Sequence, residues 1–305
     1  MILFVYILYP EASLIRIMQN AEIQTVDSVD PNLIRKRGFS MKKVASIVMA
    51  SVLALTLSAC GAAKSGEENS AQSASGSAVE KYTFGTDATY PPFEFQKDGK
   101  YVGIDIDLMN AIAEEEGFEV EIKPMDFKGI IPAITANQLD GAIAGISITD
   151  ERKKVVDFSD PYYQAGLSLI VHEDNADIQS PEDLKGKIIA IKKGTSGANL
   201  ADEYAKTYGA TVKYFDDSPS MYQEVANKNA DATLEDFPVI SYKIAIDPNA
   251  KLKIVGDRLN GDFYGIAVAK GDTELQKKIN DGLKKLQENG KYDEIVGKYL
   301  GTTAK

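Results

Sequence analysis

The chain carries one cysteine and one histidine in 305 residues. A lone cysteine, Cys60, forbids an internal disulfide, and one thiol with one imidazole cannot build a metal cluster. A serine or cysteine nucleophile would have to take its base from His172 alone. "LIVHED" reads as a strand end with His172 at its exposed edge, so a surface histidine is expected there rather than a catalytic one. Positive charge is also in short supply: 34 Lys+Arg stand against 45 Asp+Glu, a net charge of −11. That balance excludes the basic face a nucleic acid requires and is read as a contribution to solubility. No internal repeat is visible. "GTSG" at 194–197 lacks the spacing of either phosphate-binding fingerprint, so no nucleotide cofactor is implied.

What is present begins at Met41 with "MKKVASIVMASVLALTLSAC". Lys42 and Lys43 make a basic start, Val44 to Leu57 an apolar stretch, and Leu57-Ser58-Ala59 a run of mostly small residues before Cys60. The stretch falls short of the ~20 apolar residues of a membrane span and reads as a secretory signal over 41–59. "LSAC" resembles a bacterial lipobox, which implies cleavage before Cys60 and a diacylglycerol on its sulfur. Residues 1–40 fit no signal, because they carry both charge signs and two prolines; translation is expected to start at Met41. Residues 60–80, "CGAAKSGEENSAQSASGSAVE", are poor in large apolar side chains and read as a flexible tether between a lipid anchor and a folded body.

From 81 to 301, strand and helix patterns alternate. "KYTFGTD" alternates as a strand does. "YVGIDIDLMNAIAEEEGF" starts extended, then sets Leu108, Met109, Ile112 and Ala113 at helical spacing and stops at Gly117. "IIPAITANQL" predicts a helix with Pro132 in its first turn, "GAIAGIS" a buried strand, and Thr149 the cap of a short helix bearing Arg152. "LSLIVHE", "KIIAIKKGTSG", "ADATLED" and "YGIAVAKGD" read as further strands, with helices between most of them. Alternation of this kind predicts an α/β fold with largely parallel sheets, whose ligands sit beyond the carboxyl ends of the strands.

Polar groups gather at those ends: Asp87, then Gly145 and Ser147 ahead of Arg152, then Lys192, Thr195 and Ser196, then Glu235 and Asp236, with Tyr90 and Phe127 in loops. Singly, each reads as an exposed loop residue. Jointly they offer an anion clamp, an ammonium acceptor and apolar walls, the needs of a free amino acid. Arg152 is the most informative of them. A cation three residues after a helix cap opposes the helix dipole, which raises the question of what it faces.

"TDATYPPFEF", "KPMDFKGIIPAITANQLDGAIAGISITDERKKVVDFSDPYY" and "ENGKYDEIVGKYLG" resemble the extracytoplasmic solute-binding proteins of polar amino-acid ABC importers, family 3 type, and most of all the glutamine-binding members. The resemblance covers essentially 81–301. It implies two doubly wound α/β lobes, 81–163 with 264–301 and 167–260, joined by a two-stranded hinge. It further implies a monomer that is not an enzyme and that delivers its ligand to a membrane permease with ATPase subunits. Carried over residue by residue, Arg152 clamps the ligand carboxylate, with donors from Thr195 and Ser196. Asp236, the Gly145 carbonyl and the Ser147 hydroxyl take the ammonium, and Tyr90 and Phe127 sandwich the methylenes. Asp87 and Lys192 meet the side-chain end, where an acid beside a base suits a carboxamide. One departure is Glu235, which stands where the glutamine-binding pattern has histidine. An acid there is compatible with glutamine and with basic ligands such as arginine or histidine. It also admits a dehydratase on the same scaffold, with Glu235 as general acid.

Overall fold

The computed structural model describes residues 79–301. The signal, lipobox and tether assigned to 41–80, and the prefix before them, lie almost wholly outside that range. The body opens with β1 (Lys81–Thr86), β2 (Thr89–Tyr90), β3 (Glu94–Lys97) and β4 (Lys100–Val102), followed by α1 (Ile104–Glu116), β5 (Glu119–Pro124), α2 (Phe127–Thr135), β6 (Gly141–Ala142), β7 (Val156–Phe158) and β8 (Tyr163–Gln164). Then come β9 (Leu167–His172), β10 (Ile188–Lys192), α3 (Ser196–Tyr208), β11 (Thr211–Phe215), α4 (Ser218–Ala226), β12 (Ala232–Asp236), α5 (Phe237–Ile246) and β13 (Leu252–Val255). The chain returns through β14 (Phe263–Tyr264) and β15 (Ala267–Ala269) and ends with α6 (Thr273–Glu288) and α7 (Lys291–Leu300). None of the described helices is long and apolar enough to cross a membrane.

Two five-stranded sheets result, in the orders β5-β1-β6-β15-β7 and β11-β10-β12-β9-β13. In each, three parallel strands are followed by one antiparallel strand. The small antiparallel ribbon of β8 with β14 forms where the chain passes between the sheets. The fold is the α/β arrangement expected, with two sheet-containing lobes.

Each lobe has its own core. In lobe 1 the apolar stripe of α1, Leu108, Met109 and Ile112, packs with Phe84 of β1 and with Leu275, Ile279 and Leu283 of α6. In lobe 2, Leu169 and Val171 of β9 and Ile189 and Ile191 of β10 meet Met221 and Val225 of α4. α1 is capped at its start by Gly103, where a Cβ would lie 2.0 Å from the Phe93 carbonyl oxygen, and at its end by left-handed Gly117, where the sequence predicts the stop.

Four local expectations need correction. Pro132 is not in the first turn of its helix: α2 begins at Phe127, so the proline sits inside and removes one backbone donor there. The strand expected at "GAIAGIS" is only Gly141–Ala142, because Gly145 turns the chain with φ 52°. The turn bearing Arg152 is a single 3-10 turn, Arg152–Lys154, whose Arg152 N–H donates to the Thr149 hydroxyl at 3.2 Å. His172 is not at an exposed edge. β9 lies between β12 and β13, so its last residue is buried, and His172 Nδ1 accepts from the Asp174 N–H at 3.1 Å.

Candidate functional site

The parallel strands of both sheets aim their carboxyl ends at one cleft. β10 ends on Lys192 and β12 on Asp236, while β1 leads directly to Asp87. All the predicted site residues except Asp87 line one cavity of ≈ 20 Å³ between the lobes. Asp87 lies behind it, buried, and pairs with the Lys192 ammonium from the opposite lobe. That ammonium also stands over the Tyr90 ring at 4.7 Å and the Phe127 ring at 5.1 Å, so the two aromatic walls and the acid form a cation box.

Arg152 faces the cleft. Its Nη1 donates to the Ser147 carbonyl at 2.7 Å, and its Nη2 donates across the cleft to the Gly194 carbonyl at 3.0 Å. The guanidinium lies 5.5 Å from the Phe127 ring centroid. Gly194 must be glycine: its φ is 78° and a Cβ would come within 2.9 Å of the Lys128 backbone in lobe 1. The Ser147 and Ser196 hydroxyls meet across the same gap at 3.2 Å.

Thr195, expected to add a donor for the ligand, uses its hydroxyl within the chain. Its hydroxyl donates to the Lys192 carbonyl at 2.8 Å and accepts from the Ala198 N–H at 3.1 Å, capping α3. What this turn can offer an anion is therefore backbone N–H at the start of α3, not the threonine hydroxyl.

The two adjacent acids of β12 are both about 5% exposed but differently satisfied. Glu235 Oε1 accepts from the Tyr90 hydroxyl at 2.7 Å and the Asp236 N–H at 3.0 Å. Its Oε2 accepts from the hydroxyls of Ser218 at 2.9 Å and Tyr222 at 2.8 Å. Glu235 thus has three donors of its own and shares the Tyr90 proton with Asp236, so both of its oxygens are turned to the protein. Asp236 Oδ2 accepts from Tyr264 at 2.6 Å and Tyr90 at 2.8 Å, while its Oδ1 is buried with no partner. Burial, then the charge of Glu235, pushes the Asp236 carboxyl up to about 7, against the pull of the Tyr264 and Tyr90 hydroxyls. Burial also raises both tyrosines well above the usual phenol range, so they serve as neutral donors.

A second buried layer supports Gly145. Asp105 of α1 accepts the Gly145 N–H at 2.7 Å and the Tyr162 hydroxyl at 2.8 Å. Burial lifts its carboxyl to about 6, opposed by those two donors. Glu94 lies beside it, buried, and is pushed well above the carboxylate range by burial and by the charges of Asp105 and Asp87. Asp105, Glu94, Tyr162, Ser218, Tyr222 and Tyr264 had not been singled out from the sequence. For Asp105 a signal existed: it stands three residues before Leu108 and four before Met109, on the buried stripe. The cavity also takes apolar lining from Leu167 and Leu234, with Gly197 at the first turn of α3. Among the described residues, no group of His, Cys, Asp and Glu side chains could hold a metal ion.

Known proteins share this architecture. Residues 82–302 match the family model of bacterial extracellular solute-binding proteins, family 3. The arginine-binding extracellular protein ArtP of Bacillus subtilis (strain 168) is 33% identical over 268 residues, covering 85% of this chain and 98% of its own length. The ABC transporter glutamine-binding protein GlnH of the same organism is 34% identical over 273 residues, with the same two coverages of 85% and 98%. Among solved structures, an ancestral arginine-binding protein bound to arginine superposes with a TM-score of 0.70 at 46% identity, covering 72% of this chain and 98% of that one. The chain belongs to the family 3 bacterial extracellular solute-binding proteins, the amino-acid-binding components of ABC transporters.

Proposed function

We propose that this chain captures a polar L-amino acid, glutamine ahead of others, and delivers it to a separate ABC-importer permease. The observation that carries the reading is the unpartnered, buried Oδ1 of Asp236 in the same cavity as Arg152. A buried carboxylate oxygen without a donor is costly, and a ligand ammonium supplies the donor it lacks. Arg152, with two N–H groups now spent on backbone carbonyls, can turn the same fork to a ligand carboxylate.

The side-chain end supports glutamine. A carboxamide inserted between Asp87 and Lys192 gives its N–H to the acid and its carbonyl to the base, satisfying both. A cavity of ≈ 20 Å³ has room for about one water, so entry requires the lobes to part and Lys192 to leave its place between the rings. The β8–β14 ribbon and its flanking crossings serve as the hinge, and closure on the ligand makes the charge-assisted bonds in a dry space.

Arginine is the second reading, favoured by one observation: the Tyr90–Phe127–Asp87 box already holds a cation, the Lys192 ammonium. Glu235 adds to neither reading directly, because its donors hold it away from the ligand. The same donors count against its use as a general acid. Cys60 carries the lipid anchor in this account, and a diacylglyceryl mass on the mature N-terminus is the expected finding; a free Cys60 thiol would contradict it. A thermal-shift and calorimetric screen of the twenty amino acids tests the ligand. Glutamine binding tighter than arginine is the expected result. The reverse order would replace glutamine with arginine, and no binding at all would overturn the proposal.

A further inference from the structure

We propose that Asp105 is a positioning residue for the ligand ammonium, holding the Gly145 peptide in place and tying it to the hinge through Tyr162. The inference rests on the amino-acid reading above and extends it to a residue that does not line the cavity.

Gly145 turns the chain with φ 52°, in a place where a Cβ would lie 2.9 Å from the Tyr90 ring and 3.3 Å from Tyr264. A glycine in that conformation is intrinsically loose, so something else must fix the direction of its peptide groups. Asp105 does so from below, by accepting the Gly145 N–H at 2.7 Å in a fully buried setting. The same carboxylate accepts the Tyr162 hydroxyl at 2.8 and 2.9 Å on its two oxygens. Tyr162 immediately precedes β8, and its own N–H donates to the Tyr264 carbonyl at 3.0 Å, while Tyr292 donates to its carbonyl. Tyr264 in turn holds Asp236 at 2.6 Å. One buried chain of hydrogen bonds thus joins the lobe 1 loop facing the ligand, the crossing between lobes and the acid that takes the ammonium.

The Asp105 carboxylate takes the Gly145 N–H on Oδ2 and the Tyr162 hydroxyl on both oxygens, and its charge strengthens both bonds. In Asp105→Asn one oxygen must hold the Gly145 N–H while the NH2 turns to the Tyr162 hydroxyl oxygen, reversing that bond, and the charge is gone. The misplacement falls on the ammonium end and spares the carboxylate end at Arg152.

The test compares L-glutamine with glutaramate, the same molecule without the α-ammonium, by calorimetry on the intact protein. L-arginine and its deamino analogue serve as a second pair. In the wild type the parent amino acid should bind at least a hundredfold more tightly. In Asp105→Asn the parent should lose about ten- to a hundredfold while the deamino analogue changes by less than about threefold. Tyr162→Phe keeps the Asp105–Gly145 bond and should show the same selective loss at about three- to tenfold, so the proposal stays testable should Asp105→Asn fold poorly. Equal losses for both ligands, or an unchanged ratio in both variants, would overturn the role of Asp105. A wild type that failed to discriminate parent from deamino analogue would instead overturn the ammonium site itself.

Discussion

Lobe 1 and lobe 2 build the same sheet twice, three parallel strands and then an antiparallel one, yet they bring unlike chemistry to the cleft. Lobe 1 brings the aromatic walls Tyr90 and Phe127, the guanidinium of Arg152 and the buried acid Asp87. Lobe 2 brings two adjacent acids, the Lys192 ammonium and the backbone N–H groups at the start of α3. Neither lobe is satisfied alone. Lys192 needs Asp87, Arg152 reaches the Gly194 carbonyl, and Glu235 and Asp236 share the Tyr90 hydroxyl. The difference teaches that closure and binding draw on the same groups. The bonds of Arg152 and Lys192 between the lobes are made by groups that the proposed ligand would also use.

Breaking the two ends of that arrangement should have the largest effect. Arg152→Ala removes a bidentate, charge-assisted clamp, with each such bond worth about 1.5–3 kcal/mol, and should weaken amino-acid binding at least a hundredfold by calorimetry. Asp236→Asn should approach the same loss from the other lobe. If either variant binds normally, the zwitterion is not held by both lobes.

The pH dependence sharpens the contrast between the two acids of β12. With its carboxyl raised to about 7, Asp236 is largely protonated below that pH, and an ammonium must displace the proton. Affinity should therefore rise by up to tenfold per pH unit from about 5 to 7, with proton release, and level off above. The sign for stability is opposite. A folded value above the ordinary 3.8 means the folded protein holds the proton more tightly than the unfolded chain, so this group's contribution is lost as pH rises from about 4 to 7. Ligand should restore it, giving a larger thermal shift at pH 8 than at pH 5.5.

Lys192→Met should produce a smaller and selective effect: glutamine weakened about tenfold, arginine strengthened several-fold, so that the preference narrows or reverses. Equal weakening of both would remove Lys192 from the selectivity. Glu235→Gln should do least to affinity, within about threefold. It places an amide among the hydroxyls of Tyr90, Ser218 and Tyr222 and should cost about 1–2 kcal/mol of stability by denaturant titration.

Much of this was legible in the sequence because α/β chains put chemistry at strand ends, and strand ends can be read from punctuation such as "GTD" and "KKGTSG". Arg152 drew attention through a helix dipole that the single 3-10 turn bearing it does not have; what marked it in the sequence is the "AGISITDERKKVVDFS" block of the family resemblance. The partners across the cleft were less so. That Tyr90 reaches Glu235, 145 positions away, depends on how the lobes meet, which no local pattern encodes. That the Thr195 hydroxyl caps α3, leaving backbone N–H as what its turn can offer, is a matter of packing that the residue type alone does not give. His172 was misplaced because its strand end looked like an edge, whereas later strands cover it on both sides.

The most direct test is a three-way calorimetric comparison on the wild-type protein: L-glutamine, glutaramate without the ammonium, and 4-aminobutanamide without the carboxylate. A cleft that holds both charged ends predicts at least a hundredfold loss for each truncated molecule. Comparable binding of all three, or binding of none, would contradict it.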